Sequence, residues 1–134
     1  KSSVGIRVNF AINSFEIIKK NPILGVGTGD FPDEYKKVNS INSPLLPNTT
    51  NPHNMYTLVT AQLGIVGLLS MLSIFYYQIK LSFNSPSRLM RDAGLTLPLI
   101  FLVMMLSDSY LLGHFTTLVY VFFTSFLYKD FEKS

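Results

Sequence analysis

The sequence contains no cysteine and no tryptophan, and only 14% of its 134 residues are charged. The absence of cysteine excludes a disulfide framework and thiolate metal sites. Soluble domains usually carry about 25% charged residues, so the low charge is a first indication of a membrane protein. The net charge of +3 comes without a block of like charges, which argues against a nucleic-acid-binding tail.

The N-terminus also lacks an initiator Met and the basic-then-apolar pattern of a signal peptide. We therefore expect the chain to be the C-terminal fragment of a longer protein. No grouping of His, Asp and Glu has the spacing of a metal site, and we expect neither a metal nor a cofactor.

Long apolar runs are present in the second half of the chain. Residues 57–79 contain no charged residue, and a helix of that length reaches about 35 Å, enough to cross a hydrocarbon core of about 30 Å. Two further apolar runs predict two transmembrane helices within 94–128. We therefore expect an all-α, polytopic membrane helical bundle.

The basic residues of the short loops predict how the helical bundle is oriented in the membrane. Lys80, Arg88 and Arg91 lie in the 80–93 connection, and Lys129 and Lys133 lie in the 129–134 tail. The positive-inside rule places both segments in the cytoplasm. Residues 1–56 are then extracytoplasmic, as a helix followed by a loop.

Within that first segment, residues 3–20 predict a helix capped by Ser2 or Ser3 and ended by Pro22. Apolar residues recur at helical spacing, which predicts that they form the packed face, with Arg7, Asn13 and Ser14 on the opposite side. The packed positions are Val4, Val8, Ala11, Phe15 and Ile18. Gly25, Gly27 and Gly29 predict a loop, with a backbone nest for an anion as the alternative, and residues 39–52 predict an irregular loop.

His53 is the main candidate for chemistry. Asn51 is a good N-cap and Pro52 suits the first helical position, so we expect His53 in the first turn of the first span, at the outer membrane surface. Free backbone N–H groups there would favour an anion. The alternative is an interfacial histidine that only pairs with a neighbour.

Arg7 and Asp108 are the charged candidates on the same side of the membrane. Arg7 has a planar guanidinium suited to phosphate oxygens, and its alternative is a snorkelling arginine at the membrane surface. An acid at membrane depth is a functional-site hypothesis by default, so Asp108 is a candidate for orienting His53 or binding an acceptor sugar. Its alternative is an acid that simply reaches the outer water.

The string from His53 to Gly67 carries a recognisable pattern. His53 and Asn54 are followed by nine residues and then by Gly64-Ile-Val-Gly67, which matches His-[Asn/Ser/Gln]-x9-Gly-x-x-[Gly/Thr/Tyr]. Upstream, NPILGVGTGDF and SSVGIR also resemble segments of one family. Over about residues 2–72 the chain resembles the O-antigen ligase and polymerase proteins, although the tryptophan that often follows their arginine is missing.

The resemblance implies a multi-pass protein of the bacterial inner membrane that transfers a glycan from undecaprenyl pyrophosphate to an acceptor glycan or lipid A core. It implies that His53 is the catalytic general base and that Arg7 binds the pyrophosphate. Asn54 and Asp108 are our further candidates for substrate binding. The expected partners are these two substrates and the lipid bilayer. The alternative functions are a non-catalytic membrane scaffold and a transporter subunit.

Overall fold

The computed structural model describes residues 3–128, and every regular element within them is helical. The all-α prediction is confirmed. A single 3₁₀ turn precedes the last helix. The five helices are α1 (Ser3–Lys20), α2 (Phe31–Asn42), α3 (Met55–Phe83), α4 (Arg88–Met104) and α5 (His114–Leu127), and the 3₁₀ turn is Tyr110–Leu112. The predicted Ser2 cap and the predicted 129–134 tail lie outside the described residues.

Helix α1 has the predicted bounds, but the prediction of its packed face is wrong. Its buried residues are Phe10, Asn13, Ser14 and Ile17, whereas the five apolar residues predicted to pack are exposed or only partly buried. The physical reason is hydrogen bonding, because polar side chains can be buried when their partners are supplied. Asn13 bonds to three side chains of α2, and the Ser14 hydroxyl donates to the Phe10 carbonyl.

Helix α2 was not predicted, although its sequence carries start signals. Pro32 lies in the first turn, where its missing N–H costs nothing, and two acids in that turn suit the helix dipole. Phe31, Tyr35 and Val38 follow at helical spacing and are buried. The irregular loop predicted at 39–52 therefore begins only after Asn42.

A polar network joins α1, α2 and the following loop. The Asn39 amide accepts from Asn13 at 3.0 Å and donates both to the Leu46 carbonyl and to the Asn48 side chain, each at 3.0 Å. Asn13 also donates to the Tyr35 hydroxyl at 3.2 Å, and burial raises the pKa of that phenol. Because buried polar groups require partners, this network fixes the loop that leads to His53.

Helix α3 is broken at Gly64, which has the non-helical backbone angles φ 66° and ψ −163°. The segment after α1 lies against this break. Val26 N–H donates to the Ala61 carbonyl at 2.9 Å, Gly27 N–H to the Gln62 carbonyl at 2.9 Å, and Ile65 N–H to the Pro22 carbonyl at 2.9 Å. The glycine-rich stretch is a loop, as predicted, but its Val26 and Gly27 N–H groups bind a helix rather than an anion.

Helix α3 contributes to two hydrophobic clusters, and the part before Gly64 has residues in both. Leu58 and Ala61, before Gly64, pack with buried residues of α1 and α2. Met71 and Phe75, after it, pack with residues of α4 and α5. One long helix thus connects the first part of the chain to the last.

The later helices differ from the predicted runs in their bounds. α3 continues to Phe83 and α4 begins at Arg88. The non-helical part of the predicted 80–93 connection is therefore only the short turn between these two residues. α4 ends at Met104 and α5 begins at His114, inside the predicted 94–128 region. Among the described helices only α3 is long and apolar enough to cross a membrane, and α5 is a shorter apolar helix. The three-span arrangement therefore stays a prediction.

Candidate active site

His53 lies before α3 rather than in its first turn, so the prediction of its position is wrong. Its φ is +56°, in the left-handed region, which side chains other than glycine rarely adopt. The cause lies two residues upstream, where the Asn51 side-chain oxygen accepts from the His53 backbone N–H at 2.9 Å. Asn51 thus forms an Asx turn, not the predicted helix cap.

Asn54 is the N-cap of α3. Its side-chain oxygen accepts from the Thr57 N–H at 3.0 Å, and its amide donates to the Leu106 carbonyl at 3.0 Å. The Met55 N–H donates to the Met105 carbonyl at 2.9 Å. These N–H groups are therefore not free for an anion, contrary to the expectation. The cap geometry favours a positioning role for Asn54, and its predicted role in substrate binding is untested.

Asp108 lies next to His53 although the two are far apart in sequence. Helices α3 and α4 run antiparallel, so the end of α4 returns to the start of α3. The His53 Nδ1 is 3.2 Å from the Asp108 Oδ1. The two side chains are 37% and 40% exposed, which leaves both reachable from solvent. Of the two predicted uses of Asp108, the geometry favours orienting His53.

Phe10 connects His53 to α1. The Phe10 and His53 rings are stacked, with centroids 6.1 Å apart and planes 23° apart. Arg7 is exposed and lies one helical turn before Phe10, and side chains three residues apart on a helix are neighbours at about 5–6 Å between Cβ atoms. Arg7 therefore lies one turn from the residue that stacks on the imidazole. Among residues 3–128, no acid forms an ion pair with Arg7.

The roles of three residues around His53 were not predicted from the sequence. Phe10 lies on the buried face of α1, which the spacing of the apolar residues did not identify. Asn51 was assigned to the wrong motif, and the Asn-Pro pair is equally typical of a turn. Ser109 is 5% exposed and donates to Asn51, and nothing in the local sequence distinguishes it from other serines.

The geometry is suited to proton transfer. A carboxylate at Nδ1 favours the imidazole tautomer with its proton on that nitrogen, which leaves Nε2 able to accept a proton from a substrate. Within the described part of the chain, no three His, Cys, Asp or Glu side chains lie together as a metal site would require.

The comparison with known families covers the first part of this site. The sequence profile of a family described as O-antigen ligase matches residues 1–72, more than half of the chain. No curated protein sequence and no solved structure matches the chain significantly. Arg7, Phe10 and His53 fall inside the matched residues, whereas Asp108 and Ser109 lie beyond them.

Proposed function

Because the chain belongs to the O-antigen ligase family, we propose that it forms part of the active site of a membrane glycosyltransferase. The family supports a glycosyltransferase-type enzyme acting in surface polysaccharide assembly. The finer proposal is that a glycan moves from undecaprenyl pyrophosphate to the hydroxyl of an acceptor glycan or lipid A core. The observation that carries it is the pairing of His53 with Asp108 beside the helix that bears Arg7.

His53 is proposed as the general base. With its Nδ1 hydrogen donated to Asp108 at 3.2 Å, the imidazole presents Nε2 to the acceptor hydroxyl. A contact of this length is usual before substrate arrives, since catalytic hydrogen bonds tighten in the reacting complex. The carboxylate stabilises the imidazolium that forms, as in other histidine–carboxylate pairs.

Arg7 is proposed to bind the pyrophosphate of the donor. Its guanidinium can bind two phosphate oxygens at once, and its exposure leaves it accessible. As the bond to the anomeric carbon breaks, negative charge grows on the leaving pyrophosphate, and a nearby fixed cation stabilises that charge.

The proposed glycan transfer needs neither a metal nor a nucleotide. The acceptor O–H proton moves to His53 Nε2 while the oxygen attacks the anomeric carbon. The bond from that carbon to the pyrophosphate oxygen breaks, and its electron pair leaves with undecaprenyl pyrophosphate. The proton on His53 is afterwards released to water.

We further propose that the His53 end of the bundle faces outward, away from the cytoplasm. The basic residues Lys80, Arg88 and Arg91 lie at the opposite end of α3 and α4, where the positive-inside rule favours the cytoplasm. The part of α3 after Gly64 is about 28 Å long, close to the thickness of a hydrocarbon core.

Cysteine labelling tests this orientation. Thr50 and Ser87 are both exposed, one near each end of the bundle, and the chain has no cysteine of its own. In a background without other cysteines, Thr50→Cys is expected to react with a membrane-impermeant maleimide in intact cells. Ser87→Cys is expected to react only after the inner membrane is opened. The reverse pattern would contradict the orientation.

Replacing Asp108 tests the function itself. Asp108→Asn removes the carboxylate that fixes the imidazole, so the transfer rate is expected to fall about 100-fold, within the usual contribution of general acid–base catalysis. The matched control is Asp92→Asn, because Asp92 makes only exposed contacts with Arg88 and Arg91. Rates are measured on purified full-length protein with a lipid-linked donor, and equal rates for the two variants would contradict the proposal.

A further inference from the structure

Asn51 joins the two segments that carry His53 and Asp108. Its side-chain oxygen accepts from the His53 backbone N–H at 2.9 Å and from the Ser109 hydroxyl at 2.7 Å. One oxygen atom therefore fixes the backbone of the first segment and the side chain of the second. The Asn51 backbone is fixed in turn, because its N–H donates to the Thr49 hydroxyl at 3.0 Å.

Ser109 makes the corresponding connection from the other side. It is 5% exposed, and its backbone N–H donates to the Asp108 Oδ1 at 2.7 Å. That oxygen is the same one that faces the His53 Nδ1. Ser109 thus bonds to the carboxylate through its backbone and to Asn51 through its side chain, and it closes a ring of contacts around the imidazole.

The backbone of His53 shows why such a ring is needed. A left-handed φ at a residue other than glycine persists only where the surroundings determine it. Without the Asn51 oxygen, the His53 N–H would lose its partner and the residue could relax towards a commoner conformation. The imidazole would then move away from both Asp108 and the Phe10 ring.

We infer that Asn51 and Ser109 are positioning residues that hold the His53 imidazole against the Asp108 carboxylate during glycan transfer. This inference rests on the proposed function. Neither side chain hydrogen-bonds to the His53 imidazole, so their effect is on the geometry of the base rather than on substrate binding.

The test compares Asn51→Ala, Ser109→Ala and the double variant in the full-length protein, with a lipid-pyrophosphate-linked glycan and its acceptor as substrates. Each single variant is expected to lower kcat about 10- to 100-fold, the usual effect of removing a residue that orients a side chain in direct contact with the reacting group. The KM is expected to change less than about twofold. Because the Ser109 hydroxyl acts through its hydrogen bond to Asn51, the double variant is expected to be no slower than Asn51→Ala alone.

The controls are chosen to match chemistry and exposure. Ser107→Ala removes an exposed hydroxyl that bonds only within its own turn, and Asn84→Ala changes an exposed asparagine at the far end of α3. Both are expected to behave as the unchanged protein. Asn51→Asp keeps the acceptor oxygen and is expected to recover most of the rate that Asn51→Ala loses. All rates are normalised to the amount of folded protein.

Two results would overturn the inference. One is that Ser109→Ala and Asn51→Ala match their controls, and the other is that Asn51→Asp is as slow as Asn51→Ala. These results are distinguishable from failure of the proposed function. If His53→Ala transfers glycan normally, the function itself is wrong, whereas an inactive His53→Ala with unaffected Asn51 and Ser109 variants removes the positioning role alone.

Discussion

Replacing His53 with Ala in the full-length protein is expected to reduce glycan transfer at least about 100-fold, in line with the contribution of a general base. The acceptor hydroxyl would keep its proton during attack, because His53 is the one side chain within residues 3–128 that pairs with Asp108, with 3.2 Å between Nδ1 and Oδ1. The side chain is partly exposed, so its removal leaves no large cavity and the protein is expected to accumulate normally. Transfer is measured as polymer joined to the acceptor, both in cells and with purified protein.

The second histidine of the chain supplies a matched control. His114 is the first residue of α5 and is exposed, so His114→Ala removes the same ring from the same molecule without touching the His53–Asp108 pair. It is expected to transfer glycan at the normal rate. Normal transfer by His53→Ala would instead favour the alternative of a non-catalytic membrane scaffold.

Parts of this site follow from sequence and parts do not. His53 could be identified because a polar string with turn residues meets a charge-free run. Asp108 could be placed at the same end of the bundle because consecutive spans alternate in direction. Their contact was one of two uses predicted for Asp108, and the sequence could not decide between them, since the contact depends on how far α4 extends before the chain turns back. The roles of Asn51 and Ser109 depend on that contact, so they were beyond sequence reasoning.

In the fold, too, features set by local sequence could be predicted and features set by tertiary contacts could not. The end of α1 at Lys20 follows from Pro22, which acts locally. The buried face of α1 does not, because Asn13 is buried only through partners that α2 supplies. In a membrane protein, apolar residues also face lipid, and an apolar stripe is therefore a poor guide to the protein interior.

Gly64→Ala is expected to be the most destabilising of the substitutions considered. A Cβ at this position would lie 2.0 Å from the Ile23 carbonyl oxygen, a backbone atom that cannot move alone. The backbone angles of φ 66° and ψ −163° also fall in a region that is essentially restricted to glycine. Strain and overpacking each cost about 1–3 kcal/mol, which together are a large share of a typical stability of about 5–15 kcal/mol.

Function is expected to be lost with the fold in this variant, because the segment after α1 bonds to α3 at the Gly64 break, where the Ile65 N–H donates to the Pro22 carbonyl and the Val26 N–H to the Ala61 carbonyl. A continuous helix would carry the segment before Met55 in another direction, and His53 would lose its stacking on Phe10. The control is Gly29→Ala, since a Cβ at Gly29 has no neighbour within 4 Å. We expect a much lower melting temperature and little transfer for Gly64→Ala alone. Equal melting of the two purified variants would show that α3 does not need its break, and that the first glycine of the signature serves another purpose.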